Sequence, residues 1–75
     1  MAQTTADRRP TTDAVLTLLY THGRLHVLTL AERLDRDPTD VEDACFRLQR
    51  AGLARARGGG DYTVTARGER TVRRR

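Results

Sequence analysis

Residues 28–53, LTLAERLDRDPTDVEDACFRLQRAGL, carry two short amphipathic patterns joined by a polar connection and closed by a Gly-Leu pair. In the first pattern Thr29 is followed three residues later by Glu32, the spacing of a capping box, in which each side chain satisfies an orphan backbone donor at a helix start. A helix is therefore expected to begin near Leu30, with Leu30, Ala31 and Leu34 on one narrow face. So short a helix is unstable alone and must lean on a neighbour. Asp37-Pro38 marks that neighbour, because Asp is a good N-cap and Pro is tolerated at the first helical position, where its missing N–H costs nothing. From there Val41, Ala44, Cys45, Leu48 and Ala51 recur at i, i+3, i+4, i+7 and i+10, and Gly52 stands where a C′ glycine ends a helix. Only Asp35, Arg36 and Asp37 separate the two helices, the signature of a helix-turn-helix, in which the second helix is the candidate recognition helix.

The flanks extend this unit in both directions. Residues 1–11, MAQTTADRRPT, are polar, contain Pro10 and lack apolar periodicity, which predicts a flexible arm preceding a domain over 12–75. Thr11 or Thr12 can cap a helix from about Asp13 to His22, whose Val15, Leu16, Leu18, Leu19 and Tyr20 are more apolar than a surface helix requires. Gly23 ends it, and the alternation of Leu25 and Val27 around His26 suits a short edge strand over 24–27. After Gly52 the period changes from helical to alternating. Residues 53–57 read as one strand, Gly58-Gly59-Gly60-Asp61 as a flexible turn and residues 62–65 as the returning strand, with Tyr62 and Val64 facing the core and Arg55 and Arg57 outward. Thr65 can cap a last helix over about 66–75, in which Arg67, Arg70 and Arg74 share a face. Gly68, inside that helix, is a poor helix former.

With 75 residues and 37% hydrophobic content carrying three aromatics, the chain suits one small Leu/Val/Ala core and leaves no room for a buried catalytic cleft. All fourteen basic residues are Arg and ten residues are acidic, a net charge of +4, which favours a polyanionic partner modestly. No run approaches the roughly eighteen apolar residues of a membrane span, and the amino terminus lacks a signal-peptide hydrophobic region. Together with the lone Cys45, this predicts a cytoplasmic protein, nucleoid-associated if it binds DNA. The chain contains no Ser, so a Ser/His/Asp arrangement is impossible, and Cys45 lies on an apolar stripe where a thiol is ordinarily structural. No CxxC pair accompanies His22, His26 and Cys45, and neither a metal nor another cofactor is expected. Enzymatic activity is not expected either.

Helix, short strand, helix, turn, helix and Arg-bearing hairpin is the element order of winged helix-turn-helix domains. The segment LTLAERLDRDPTDVEDACFRLQRAGLARAR resembles the core of bacterial and archaeal regulators of the MarR, ArsR and PadR kind, in which apolar residues spaced like Val41, Cys45 and Leu48 precede a Gly-Leu like Gly52-Leu53. The tail DYTVTARGE resembles their Y-x-L-T-x-x-G segment, where the second wing strand runs into a helix. The resemblance covers about residues 12–69. It implies a mainly α fold with a small β-hairpin (α+β), a three-helix core with a wing and a short C-terminal helix. It also implies a small sequence-specific transcriptional regulator of double-stranded DNA, with a recognition helix over about 38–51 in the major groove and a wing over about 53–65 on the backbone or minor groove.

On that reading Thr39, Glu42, Asp43, Arg47 and Arg50 face the groove, while Arg55, Arg57 and Gly59 form the wing contact. The chain departs from the family pattern at Asp40, Glu42 and Asp43, where such helices usually offer neutral or basic residues. Acids in a first helical turn favour the helix dipole by about 0.3–1 kcal/mol each. They equally suit a second function, a protein-interaction adapter docking a partner through its acidic helix. Asp43 and Arg47 have the spacing of an intrahelical ion pair. Regulators of this class commonly pair to reach two half-sites, and Leu16 with Tyr20, or the last helix, would supply a homodimer surface.

Overall fold

The computed structural model describes residues 9–75, with side chains from Thr11 onward. In chain order the elements are α1 (Arg9–His22), β1 (Arg24–His26), α2 (Val27–Leu34), α3 (Pro38–Arg50), β2 (Ala54–Gly58), β3 (Asp61–Val64) and α4 (Ala66–Arg73). Four helices and one antiparallel sheet in the order β1-β3-β2 make a small, mainly helical α+β domain.

The start of α3 follows the sequence reading: Asp37 is the N-cap, its carboxylate accepting the Thr39 N–H at 2.9 Å, with Pro38 at the first helical position. Its end is a complete Schellman pattern. The Leu53 N–H reaches the Leu48 carbonyl at 2.8 Å and the Gly52 N–H the Gln49 carbonyl at 3.0 Å. Between α2 and α3 the same double bond recurs, with Arg36 N–H to Ala31 O and Asp35 N–H to Glu32 O. Asp35 adopts the left-handed conformation there (φ 53°), one of the few non-glycine types that does so readily, and this lets three residues reverse the chain.

Several boundaries differ from the sequence reading. α2 begins at Val27 rather than near Leu30, so Thr29 lies inside its first turn and the Thr29/Glu32 capping box does not form the start. The cap is His26, whose Nδ1 accepts the Leu28 N–H at 3.0 Å. The cause is tertiary, because β1 ends as it pairs with β3 and the Val27 N–H is taken by the Gly60 carbonyl at 2.9 Å. α1 begins at Arg9 rather than Asp13, since Pro10 falls in its first turn, where a missing N–H is harmless. Of the arm expected over 1–11, residues 1–8 lie outside the described residues and residues 9–11 are helical. The hairpin strands run 54–58 and 61–64, each one residue earlier or later than expected, with an irregularity between Ala56 and Gly58.

The core gathers Val15, Leu16 and Leu19 of α1, Val27, Leu30 and Ala31 of α2, Val41, Ala44, Cys45 and Leu48 of α3, and Ala54 of β2. Leu25, Tyr62, Val64 and Val72 pack against its edge. Leu16, expected on a dimer surface, is 2% exposed and belongs to this core, and Tyr20 is half-buried. Among the described residues, the large apolar side chains left in solvent are instead Leu28 and Phe46.

The C-terminal helix is stitched to the end of α3. The Thr65 N–H donates to the Leu53 carbonyl at 3.1 Å, and the Thr65 hydroxyl donates to the Gly52 carbonyl at 2.7 Å while accepting the Gly68 N–H at 3.0 Å. This close approach explains Gly68: a Cβ there would collide with the Leu53 carbonyl oxygen and stand 2.7 Å from Val64 Cγ2. At the other end of α4, the Arg75 guanidinium reaches the Asp13 carboxylate at 3.5 Å and Thr17 Oγ1 at 2.9 Å, tying it to α1.

Candidate nucleic-acid interface

Burying Val41, Ala44, Cys45 and Leu48 turns the opposite side of α3 to solvent. Thr39, Glu42, Phe46, Arg47 and Arg50 are exposed there, and Asp43 is half-buried. Charge runs along this face by sign. Asp40 lies in the first turn and Arg47 and Arg50 in the last, each end opposing the helix's own partial charge. Asp40 thus satisfies the helix end locally and Asp43 pairs with Arg47, while the basic half of α3 is the one that runs on into β2.

Both arginines are held along the helix. The Arg47 Nε donates to Asp43 Oδ2 at 3.0 Å, the ion pair that the i, i+4 spacing predicts. Such an exposed pair contributes only about 0.3–0.5 kcal/mol, so its consequence is orientation more than stability. The Arg50 guanidinium lies 5.9 Å from the centroid of the Phe46 ring. Asp43, Phe46, Arg47, Arg50 and Ala51 line an open depression of about 500 Å³. Phe46, 54% exposed, is the residue on this face that the sequence reading passed over; as the one aromatic off the apolar stripe of α3 it was visible there.

The hairpin presents its arginines as expected. In the register Ala54↔Val64, Arg55↔Thr63 and Ala56↔Tyr62, alternation puts Ala54, Val64 and Tyr62 on the core side and Arg55 with Thr63 on the outer side. Arg24↔Thr63 in the β1–β3 ladder brings Arg24 onto that outer row as well, where its Nε donates to Asp61 Oδ2 at 2.9 Å. Arg24 joins this surface through the strand order, which local sequence does not reveal. Arg55 and Arg57 are exposed, and among the described residues neither has an ion-pair partner. Gly59 is exposed at the turn. That turn is less free than its three glycines suggest, because the Gly60 carbonyl is bonded to Val27 and a Cβ on Gly60 (φ +92°) would lie 2.6 Å from His26 Nε2.

The remaining candidates separate from this surface. His22 ends α1 and His26 sits in β1 beyond Gly23, so the two do not stack on one helical face, and among the described residues no group of three or more metal-ligating side chains occurs. Cys45 is fully buried, and burial, reinforced by the Glu42 carboxylate, pushes its thiol up to about 11. Burial likewise raises the Tyr62 phenol, with Cys45 and Glu42 adding to it. Both groups hold their protons more tightly folded than unfolded, so the stability they confer is complete below the unfolded-state values and is lost as pH rises through the folded ones. Between about pH 9 and 11 we expect a loss on the order of 2 kcal/mol, and Cys45→Ala should flatten that decline in urea midpoints measured across the range. An equal alkaline decline in the variant would assign the effect elsewhere.

No helix among the described residues is long and apolar enough to cross a membrane. No protein-family model matches the chain, and no curated protein matches it.

Proposed function

We propose that this domain is a winged helix-turn-helix module that binds double-stranded DNA as a small sequence-specific transcriptional regulator, with α3 entering the major groove and the β2–β3 hairpin lying on the backbone as the wing. The observation that carries the reading is the pairing of a largely solvent-facing helix side with a neighbouring hairpin whose Arg55 and Arg57 are exposed and, among the described residues, have no ion-pair partner. Exposed arginines on a strand suit phosphate contact, which fixes register, while side chains on the helix suit base edges. The basic half of α3, with Arg47 and Arg50, is the half that would enter; Thr39, Asp40 and Glu42 lie towards its amino end. Cytoplasmic, nucleoid-associated residence and a homodimer spanning two half-sites accompany this proposal. Because Leu16 is in the core, the dimer contact would fall on other surfaces, with Leu28 an exposed apolar candidate.

The test is a fluorescence-polarisation titration with random-sequence duplexes across a salt series. Binding at micromolar concentration or tighter, weakening steeply with salt, is the expected result. Absence of binding at low salt would overturn the proposal. It would favour the adapter reading, which Asp40, Glu42 and the exposed Phe46 support as an acidic, partly apolar docking face. Charge reversal at Glu42 and Asp43 then separates the two, since it should abolish capture of a protein partner but strengthen sequence-independent contact with DNA.

A further inference from the structure

Resting on the DNA-binding reading, we infer that Asp43, Phe46, Arg47 and Arg50 form one base-reading unit that selects a guanine beside a thymine. The four positions stand at i, i+3, i+4 and i+7, a single stripe down the outer face of α3 around the open depression they line. Asp43 engages Arg47 through Nε, on the side edge of the guanidinium. That leaves the terminal Nη pair as a planar fork on an exposed side chain, the shape that meets guanine O6 and N7 in the major groove. A carboxylate at this position therefore positions a base-reading arginine instead of contacting DNA, which gives the departure from the usual neutral or basic residues a use.

The second contact is apolar. Phe46, next to Arg47, is 54% exposed, and the guanidinium of Arg50 rests 5.9 Å from the centroid of its ring. An aromatic edge on a groove-facing helix matches one feature of the major groove, the C5-methyl group of thymine. Cytosine and uracil lack that methyl, so Phe46 would discriminate against both. Arg50, held over the ring, keeps positive charge next to the phosphates that flank the step.

The experiment starts from duplexes recovered by selection from a randomised pool, then replaces single bases. Substituting 7-deazaguanine for the contacted guanine removes N7 and should weaken wild-type binding about tenfold. Uracil for the neighbouring thymine should weaken it several-fold. Arg47→Lys keeps the charge but loses the fork, and Asp43→Asn loses the anchor. Both should erase the guanine discrimination while keeping salt-dependent binding to random duplex, and Phe46→Ala should erase only the thymine–uracil difference. A selection that returns no fixed guanine overturns the inference and leaves DNA binding standing. So does an Asp43→Asn protein that binds all duplexes more tightly with its guanine preference intact, which would make Asp43 a mere repellent of phosphate. Wild-type protein that binds no duplex at low salt overturns the inference together with the reading beneath it.

Discussion

Replacing Gly68 by alanine is expected to destabilise the domain by about 3 kcal/mol, although alanine is the better helix former. Two effects of opposite sign compete at this position. Helix propensity favours alanine over glycine by about 1 kcal/mol in a helix interior. Against it stands the collision of a new Cβ with the Leu53 carbonyl oxygen and its 2.7 Å approach to Val64 Cγ2. The carbonyl cannot retreat cheaply, because it accepts the Thr65 N–H at 3.1 Å and sits immediately before β2. Relieving the clash means lifting α4 from the end of α3, with loss of the Thr65 hydroxyl bond to the Gly52 carbonyl at 2.7 Å. A domain of this length holds only about 4–11 kcal/mol in total, so the variant should melt more than roughly 12 °C lower in a thermal scan followed by circular dichroism. A melting temperature within 2 °C or so of wild type would mean that α4 is not closely seated on Leu53.

The double variant Arg55→Ala, Arg57→Ala is expected to weaken duplex binding about a hundredfold at low salt, on the reading that each arginine contacts one phosphate. The loss should be nearly the same for every sequence, because phosphate contacts carry no base information. The slope of log affinity against log salt should become shallower by roughly 2. Folding should be almost untouched, since both side chains are exposed and neither has an ion-pair partner among the described residues. This pattern contrasts with the one expected for Arg47→Lys, where discrimination between sequences falls and the salt slope stays. Should the double variant bind with unchanged affinity and slope, the hairpin would not be the backbone contact, and α3 would have to bind without a wing.

The elements whose boundaries were legible in the sequence are those fixed by short-range chemistry. Asp37-Pro38 and Gly52-Leu53 bracket α3 because the cap carboxylate, the proline ring and the Schellman bonds all act within a turn of the helix. The apolar stripe of Val41, Ala44, Cys45 and Leu48 is a periodicity, and it came out buried as a unit. Thr65 as the cap of α4 and Asp43 with Arg47 as an ion pair are likewise local. Where a distant segment competes, local rules lose. The Thr29/Glu32 spacing offered a valid capping box, yet the Gly60 carbonyl pulls the helix start back to Val27 and His26 takes over as the cap.

The candidate site divides the same way. That Arg55 and Arg57 would project from a hairpin follows from alternation and three glycines, and that Arg47 and Arg50 would leave the core follows from helical period. The sequence by itself therefore determined the two helices joined by a three-residue turn, the hairpin and the outward arginines, because each depends on contacts within a few residues. Tertiary structure alone decided that Arg24 lies in the outer row across Thr63 from Arg55, that the glycine turn is pinned to α2, that Leu16 is core, and that position 68 admits no side chain. Those outcomes rest on which strand sits in the middle of the sheet and how closely α4 approaches Leu53, and segments far apart in the chain meet at distances that no local pattern encodes.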